Sequence, residues 1–273
     1  MRPSLKTLNS FLILFLVSSL VACSSALPDL TMSGKEAIAK KEEQTAHWSY
    51  EGETGPEHWG DINPDYARCA NGKEQSPINI ETLHVVKDKK IADPAINYKP
   101  TLFSLINDGR TIQGAPSTLD NSIVVDNEEY KLTQFHFHTP SEHQFNGQHF
   151  DMELHFVHKG ANHQIVVLGL MIKEGETNSY LEYAWNLIPR VKTTKIVKLT
   201  EPIDLMNLLP KEKDSFQYNG SLTTPPCTEG VKWVILKEPI EMSKEQINKF
   251  REIFLDNHRP VQPLNDREVK EKD

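Results

Sequence analysis

No glycine-rich phosphate loop, no internal repeat and no block of like charge occurs in the 273 residues of this chain. Those absences remove the usual signature of a nucleotide-phosphate cradle, the fixed-period self-similarity of a solenoid or propeller and the charged runs typical of interaction tails. Basic residues are in deficit. Thirty Lys and Arg stand against 38 Asp and Glu, for a formal net charge of −8, which argues against a nucleic-acid partner because such proteins carry a basic patch or stripe. No apolar run reaches the 20 or so residues that a membrane-spanning helix needs. Cysteine is scarce as well, and its count of three is odd, so the thiols cannot all pair within one chain.

The first residues have the layout of an export signal. Arg2 and Lys6 precede the apolar run 11–17, and small residues follow. Residues 1–22 are therefore expected to be a signal peptide. Their end, Leu20-Val21-Ala22-Cys23, resembles a lipoprotein signal in which Cys23 becomes the lipidated first residue. Ser24 then suggests outer-membrane sorting in a cell with two membranes. The expected location is periplasmic, with membrane contact only through that lipid; ordinary cleavage near Ser24-Ser25-Ala26, releasing a soluble protein, is the plainer alternative. Lipid on Cys23 leaves Cys69 and Cys227 as an even pair in an oxidising compartment. A disulfide between them closes a long loop, while two free buried thiols are the other reading. Residues 23–46 are small, polar and charged and read as a flexible tether. A domain is expected over 47–267, with 268–273 as a loose charged tail.

Between those ends strand signals dominate. Residues 122–125, the turn Asp126-Asn127 and 130–138 read as strand, turn, strand. Residues 150–158 alternate, 164–172 form a near-continuous apolar run suited to a strand buried on both faces, and 231–236 is a further strand. Helices are short: 180–188 places Leu181, Ala184, Trp185 and Ile188 on one face before Pro189, and Ser243 with Gln246 forms a capping box ahead of Ile247, Phe250 and Phe254. The fold class is mainly β (α+β), one domain with short peripheral helices.

Seven of the eleven histidines fall between positions 136 and 163. Residues two apart in a strand share a face, so His136 and His138 project together. Glu153 and His155 repeat the pattern on the next strand, which can deliver a third imidazole. Catalytic zinc typically takes three protein ligands and keeps one position for water, and Glu153 can accept the distal N–H of His155 and orient it. An H-x-H pair alone is more often a pair of surface histidines. His143, His149 and His163 read as ordinary, and His158, an odd number from His155, as structural on the opposite face.

More specific are the runs QFHFHTPSEH at 134–143, MELHFVH at 152–158 and SLTTPPCTE at 221–229, joined by QSPIN at 75–79, Trp233 and RPVQPLNDR at 259–267. In order and separation they resemble the α-class carbonic anhydrases from about residue 47 to 267. The resemblance implies a single domain around a large twisted, mostly antiparallel sheet with Zn2+ at the bottom of a conical cavity, and reversible hydration of carbon dioxide to bicarbonate through zinc-bound hydroxide. It implies His136, His138 and His155 as metal ligands, with Gln134 and Glu153 behind them. Thr223 would accept from the hydroxide and donate to Glu142. Val157, Val167, Leu222, Thr224 and Trp233 would line the substrate side with Thr223, and Cys69 and Cys227 occupy the family's disulfide positions.

The sequence departs from the family at the proton exit. Fast members carry a histidine in an Asn-x-Gly-His segment, whereas INDGRT at 106–111 puts Arg110 there. Arginine cannot be deprotonated in proteins, so proton transfer is expected to be slow, with His47 as a weak substitute and pairing of Arg110 with Asp108 or bicarbonate as other roles. A non-catalytic binding or adhesion relative would usually have lost a histidine ligand, and nothing marks the acyl pocket of a dedicated esterase. Oligomeric state is not readable from the sequence.

Overall fold

The computed structural model describes residues 47–273. The expected signal peptide, the Cys23 lipidation site and the tether lie outside the described residues. Ten strands position everything that follows: β1 (Val86–Asp88), β2 (Phe103–Asn107), β3 (Ile112–Pro116), β4 (Ser122–Val125), β5 (Glu128–His138), β6 (Met152–Gly160), β7 (Ile165–Glu174), β8 (Ser215–Ser221), β9 (Glu229–Leu236) and β10 (Lys270–Lys272). They belong to one 13-stranded sheet that runs β2-β3-β5-β6-β7-β9-β8-β10-β1, with the short strand Val197–Lys198 outside β2. Most pairings are antiparallel; β7 with β9 and β10 with β1 are parallel.

Local chemistry explains the elements. Asp126 and Asn127 both take positive φ, 51° and 66°, as a two-residue turn between right-twisting strands requires. The helix Lys244–Arg251 opens with the expected capping box between Ser243 and Gln246. Helix Ser179–Leu187 is capped by the Asn178 side chain and buries Leu181, Ala184 and Trp185. Both helices cover one face of the sheet, where Trp185 and Phe250 lie against Phe137. Phe135, Phe137, Leu154 and Phe156 from β5 and β6 fill that face, each at most 3% exposed, and each contributes roughly 1.5–3 kcal/mol of burial energy. β7 is buried from Val166 to Ile172 because β6 and β9 flank it, as the unbroken apolar run predicts.

The end of the chain departs from expectation. Residues 268–273 are charged, yet Lys270–Lys272 forms strand β10, paired with Phe216 and Gln217 of β8 and with β1. Val269 anchors it, 5% exposed in an apolar cluster with Phe216. The charges are matched outside: Lys270 with Asp88, Lys272 with Asp93, and Glu271 with Lys237. Alternating charge marks a strand here, not a free tail: β10 lies between β8 and β1, and β1 forms the edge of the sheet.

Cys69 and Cys227 form a disulfide across 158 residues. A loop of that length is worth about 5 kcal/mol in the chain-entropy account. His158 is structural, as its parity predicts: it lies under Tyr98, sharing a 2.8 Å hydrogen bond through Nε2, and is wholly buried. Burial lowers its pKa to about 3. As pH falls below about 6.5 the unfolded chain takes up this proton first, so stability is lost between about pH 6.5 and 3, at up to about 1.4 kcal/mol per pH unit. Urea unfolding at pH 7, 5.5 and 4.5 should show His158→Gln losing less stability on acidification than the parent; parallel losses would contradict this.

Candidate metal centre

The face of the sheet opposite the phenylalanines carries polar side chains in cross-strand rows. In the antiparallel register of β5 and β6, His136 lies directly opposite His155 and His138 opposite Glu153. The first row continues to Gln113 of β3 and to Gly169 of β7. The neighbouring row runs Gln134, Val157, Val167, Trp233. At Gly169 a Cβ would meet Ile235 Cδ1 at 2.6 Å and Glu153 Oε1 at 3.2 Å, so a side chain there would press on both.

Each of the three imidazoles is held from behind by an acceptor. His136 Nδ1 donates to Gln134 Oε1 at 2.9 Å, His138 Nδ1 to the Asn257 carbonyl at 2.7 Å, and His155 Nε2 to Glu153 Oε1 at 2.7 Å. That fixes the tautomers and turns three lone pairs, on His136 Nε2, His138 Nε2 and His155 Nδ1, towards one point. Burial is the main cause that lowers all three pKa values, to about 4 for His138 and well below the ordinary value for His136. Neutral imidazole is the form that ligates a metal.

The donor set fits a metal ion. The three residues present ligand atoms within 4.8 Å of one another, and His136 Nε2 stands 3.3 Å from His155 Nδ1. Both atoms carry lone pairs, so the contact is repulsive without a cation between them. A tetrahedral ion with bonds of about 2.0–2.1 Å spaces its ligand atoms about 3.3–3.4 Å apart. His138 Nε2 and Glu142 Oε2 are buried without a hydrogen-bond partner, a condition that normally marks a missing ion or water.

The other expected residues converge here. Glu142 is fully buried and its Oε1 accepts the amide of Arg259 at 2.9 Å. Burial raises its pKa, while His155, Thr223 and that amide oppose the rise. Thr223 is 5% exposed, on the loop that the disulfide secures four residues later. Val167 and Trp233 are buried in one apolar cluster with Val157 and Leu222 packed against it. The Trp233 ring lies 4.9 Å from that of His155. Thr224 is half-buried in the turn that its carbonyl closes onto the Cys227 amide.

Arg110 occupies the turn between β2 and β3. Its guanidinium stacks on Trp48 at 3.9 Å, beside a pocket of about 450 Å3 that His47, Asp108 and Lys192 also line. The pairing with Asp108 does not form through the side chain: Asp108 Oδ1 instead accepts the amides of Arg110 and Thr111.

Three residues escaped the sequence reading. His143, read as ordinary, gives Glu153 two hydrogen bonds, from its amide and from Nδ1, both 2.8 Å. With His155 these donors outweigh burial and hold the Glu153 carboxyl well below the usual range. Asn257 anchors His138 through a backbone carbonyl, which no side-chain motif reports. Arg259 stood inside a quoted motif, but its role at Glu142 runs through its amide. Apo protein given Zn2+ should gain thermal stability that rises with the logarithm of free Zn2+, reaching about 4 kcal/mol at a thousandfold excess over Kd. The gain should vanish in His138→Ala; an undiminished gain there would place the metal elsewhere.

The comparisons with known proteins agree with this geometry. The family model for eukaryotic-type carbonic anhydrase matches residues 54–273. A carbonic anhydrase of Neisseria gonorrhoeae is 44% identical over 227 residues, 82% of this chain and 88% of the relative. One from Klebsiella pneumoniae is 42% identical, covering 83% of this chain and 91% of the relative. Among solved structures, the α-carbonic anhydrase of Thermovibrio ammonificans, determined with the inhibitor sulfanilamide, superposes with a TM-score of 0.80 at 47% identity, over 82% of this chain and 99% of that one. With the family model matched over residues 54–273 and relatives at 44% and 42% identity, the chain belongs to the eukaryotic-type, or α, carbonic anhydrase family.

Proposed function

We propose that the chain is a zinc enzyme that hydrates carbon dioxide reversibly to bicarbonate and a proton. The observation that carries this reading is the convergence of three neutral imidazole lone pairs beside the Glu142–Thr223 pair and the apolar patch of Val157, Val167, Leu222 and Trp233. Zinc held by His136 Nε2, His138 Nε2 and His155 Nδ1 supplies the Lewis acidity that makes water a nucleophile near pH 7, chemistry for which carbonic anhydrase is the reference case.

The protein's own groups do the aiming. Glu142, fixed on Oε1 by Arg259, takes the hydroxyl proton of Thr223 in a hydrogen bond. The Thr223 oxygen then has only lone pairs to offer the reacting water and accepts from it, which turns a lone pair of that water towards the substrate carbon. The Thr223 amide receives an oxygen of carbon dioxide or bicarbonate, with Thr224 beside it. The apolar patch gives an uncharged, weakly hydrated substrate a hydrocarbon wall and offers nothing to a hydrogen-bonding competitor.

Proton removal is the slow part of this reading. Arg110 is held against Trp48 and cannot act as a carrier, and His47 lies exposed one residue before that tryptophan. One stopped-flow assay of carbon dioxide hydration tests the whole scheme. The zinc-loaded parent should be active and accelerated by imidazole buffer. Thr223→Ala should lose about 10²-fold in kcat/KM, the scale seen when one oriented polar group is removed. Arg110→His should raise the rate at low buffer and leave the buffer-saturated rate unchanged. Activity in His136→Ala equal to the parent's would overturn the reading.

The Cys69–Cys227 disulfide supports an oxidising location, so the same proposal places the protein outside the cytoplasm, with a lipid on Cys23. Intact mass of the mature protein from membranes should show a diacyl or triacyl addition at Cys23; an unmodified later N-terminus would mean a released protein.

A further inference from the structure

We propose that the segment 187–198, with Lys192, Lys195 and Lys198 as its free charges, is a docking surface for an anionic lipid bilayer, and that it turns the rim of the Arg110 pocket towards the membrane. This docking is independent of the hydration chemistry and of whether Cys23 carries lipid.

Charge is unevenly placed in this chain of net charge −8. Between Glu182 and Glu201 there is no Asp or Glu, while Arg190, Lys192, Lys195 and Lys198 fall there. Arg190 is neutralised by Glu252. The three lysines are exposed and, among the described residues, take part in no ion pair. The opposite edge of the sheet, at β1, differs. There Lys87, Lys89 and Lys90 flank Asp88, and Lys89 meets Asp273 at 3.8 Å.

Apolar side chains stand among the free lysines. Val191 is 72% exposed, Ile196 53% and Leu187 39%. At the sheet edge Val197 pairs with Leu105 of β2 and Lys198 with Ser104. Alternation turns Val197 towards the core and Lys198 to the other face. That face carries His136, because Ile106, two residues from Ser104, lies opposite Gln113, and Gln113 lies opposite His136. Lys192 reaches the same region. Its stem crosses the turn before Arg110, where a Cβ on Gly109 would fall 2.7 Å from Lys192 Cδ. It lines the pocket of about 450 Å3 together with Arg110, His47 and Leu255, and Leu255 is 80% exposed.

A bilayer suits this mixture better than a soluble polyanion does. Basic residues near an anionic surface each favour the bound state by roughly fivefold. Aliphatic side chains between them gain by entering the boundary between headgroups and acyl chains, a contact that a soluble polyanion does not offer. The patch also lies where the chain arrives: segment 24–46 joins the domain at His47, which shares the pocket with Lys192 and Leu255. Lipid at Cys23 would make docking an intramolecular second contact, so a surface of modest affinity suffices.

Co-sedimentation with vesicles tests the surface apart from the anchor when the chain starts at Ser24 and carries no lipid. It should bind vesicles of equal parts phosphatidylglycerol and phosphatidylcholine, and not phosphatidylcholine alone. Binding should fade as salt rises from about 0.05 to 0.5 M and the Debye length shrinks. Lys192→Gln, Lys195→Gln and Lys198→Gln together should lower the partition coefficient about 10²-fold. Lys87→Gln, Lys89→Gln and Lys90→Gln together make the same change in net charge at the far edge, and should lower it less than about threefold, since distant charges are screened. Val191→Ser with Ile196→Ser should lower it several-fold. All the replaced side chains are exposed, so thermal melts should match the parent's. No vesicle binding by the parent, equal losses in the two lysine triples, or parental binding by the apolar pair would overturn the proposal. A native protein without lipid on Cys23 would defeat the anchor alone and leave this result standing.

Discussion

The centre depends on the register of β5 against β6. Pairing His136 with His155, and His138 with Glu153, puts three imidazoles and an orienting acid on one face. Because side chains alternate with period two, a slip of one residue would turn Phe135 and Phe137 into the cavity and send the histidines into the core. What prevents the slip is on the far side of the sheet. Phe135, Phe137, Leu154 and Phe156 are buried against the helices Ser179–Leu187 and Lys244–Arg251 and their neighbours, so several aromatic burials would be lost together. The apolar face thus specifies the geometry of the polar one.

Two buried carboxylates share that polar face and are driven in opposite directions. Glu153 collects three N–H donors, from the amide and ring of His143 and from His155, and stays ionised despite complete burial. Glu142 collects fewer, and burial raises its pKa. Environment, not residue type, drives the two carboxyls apart: one is a fixed negative charge behind an imidazole, the other is a buried group whose charged form is disfavoured. The cavity is costly as a purely protein structure. Lone pairs face one another across 3.3 Å, and His138 Nε2 and Glu142 Oε2 have no partner. A cation among the three imidazoles would remove the repulsion and give His138 Nε2 a partner, because ligand geometry and metal binding are coupled.

Much of this was legible from the residues alone. The two H-x-H and E-x-H patterns worked because a strand's period of two converts spacing directly into shared facing, and the capping box at Ser243 worked because its two bonds are local. Resemblance supplied Glu142 and Thr223, which are 81 positions apart in number and carry no mutual spacing signal. His143, Asn257 and Arg259 escaped because no side-chain motif reports what they do: Asn257 acts on His138 through its carbonyl and Arg259 on Glu142 through its amide, while His143 meets Glu153 only when the chain folds back. The strand Lys270–Lys272 was missed because its side chains are all charged. Its stability comes from backbone pairing, the buried Val269 and the acids Asp88 and Asp93, none of which is visible in a local window.

Position 110 is tied to the histidine cluster through its backbone while its side chain turns elsewhere. Asn257 accepts His138 on its carbonyl and donates from Nδ2 to the carbonyls of Arg110 and Phe137. The metal centre is therefore tied to the backbone at position 110, and Asp108 ties the same turn through the amides of Arg110 and Thr111. Neither tie involves the side chain. The Arg110 guanidinium leaves the turn and lies on Trp48, where a cation over an indole face is worth about 0.5–2 kcal/mol. The turn is held through its backbone, so the side chain at position 110 does not itself set where the three histidines stand.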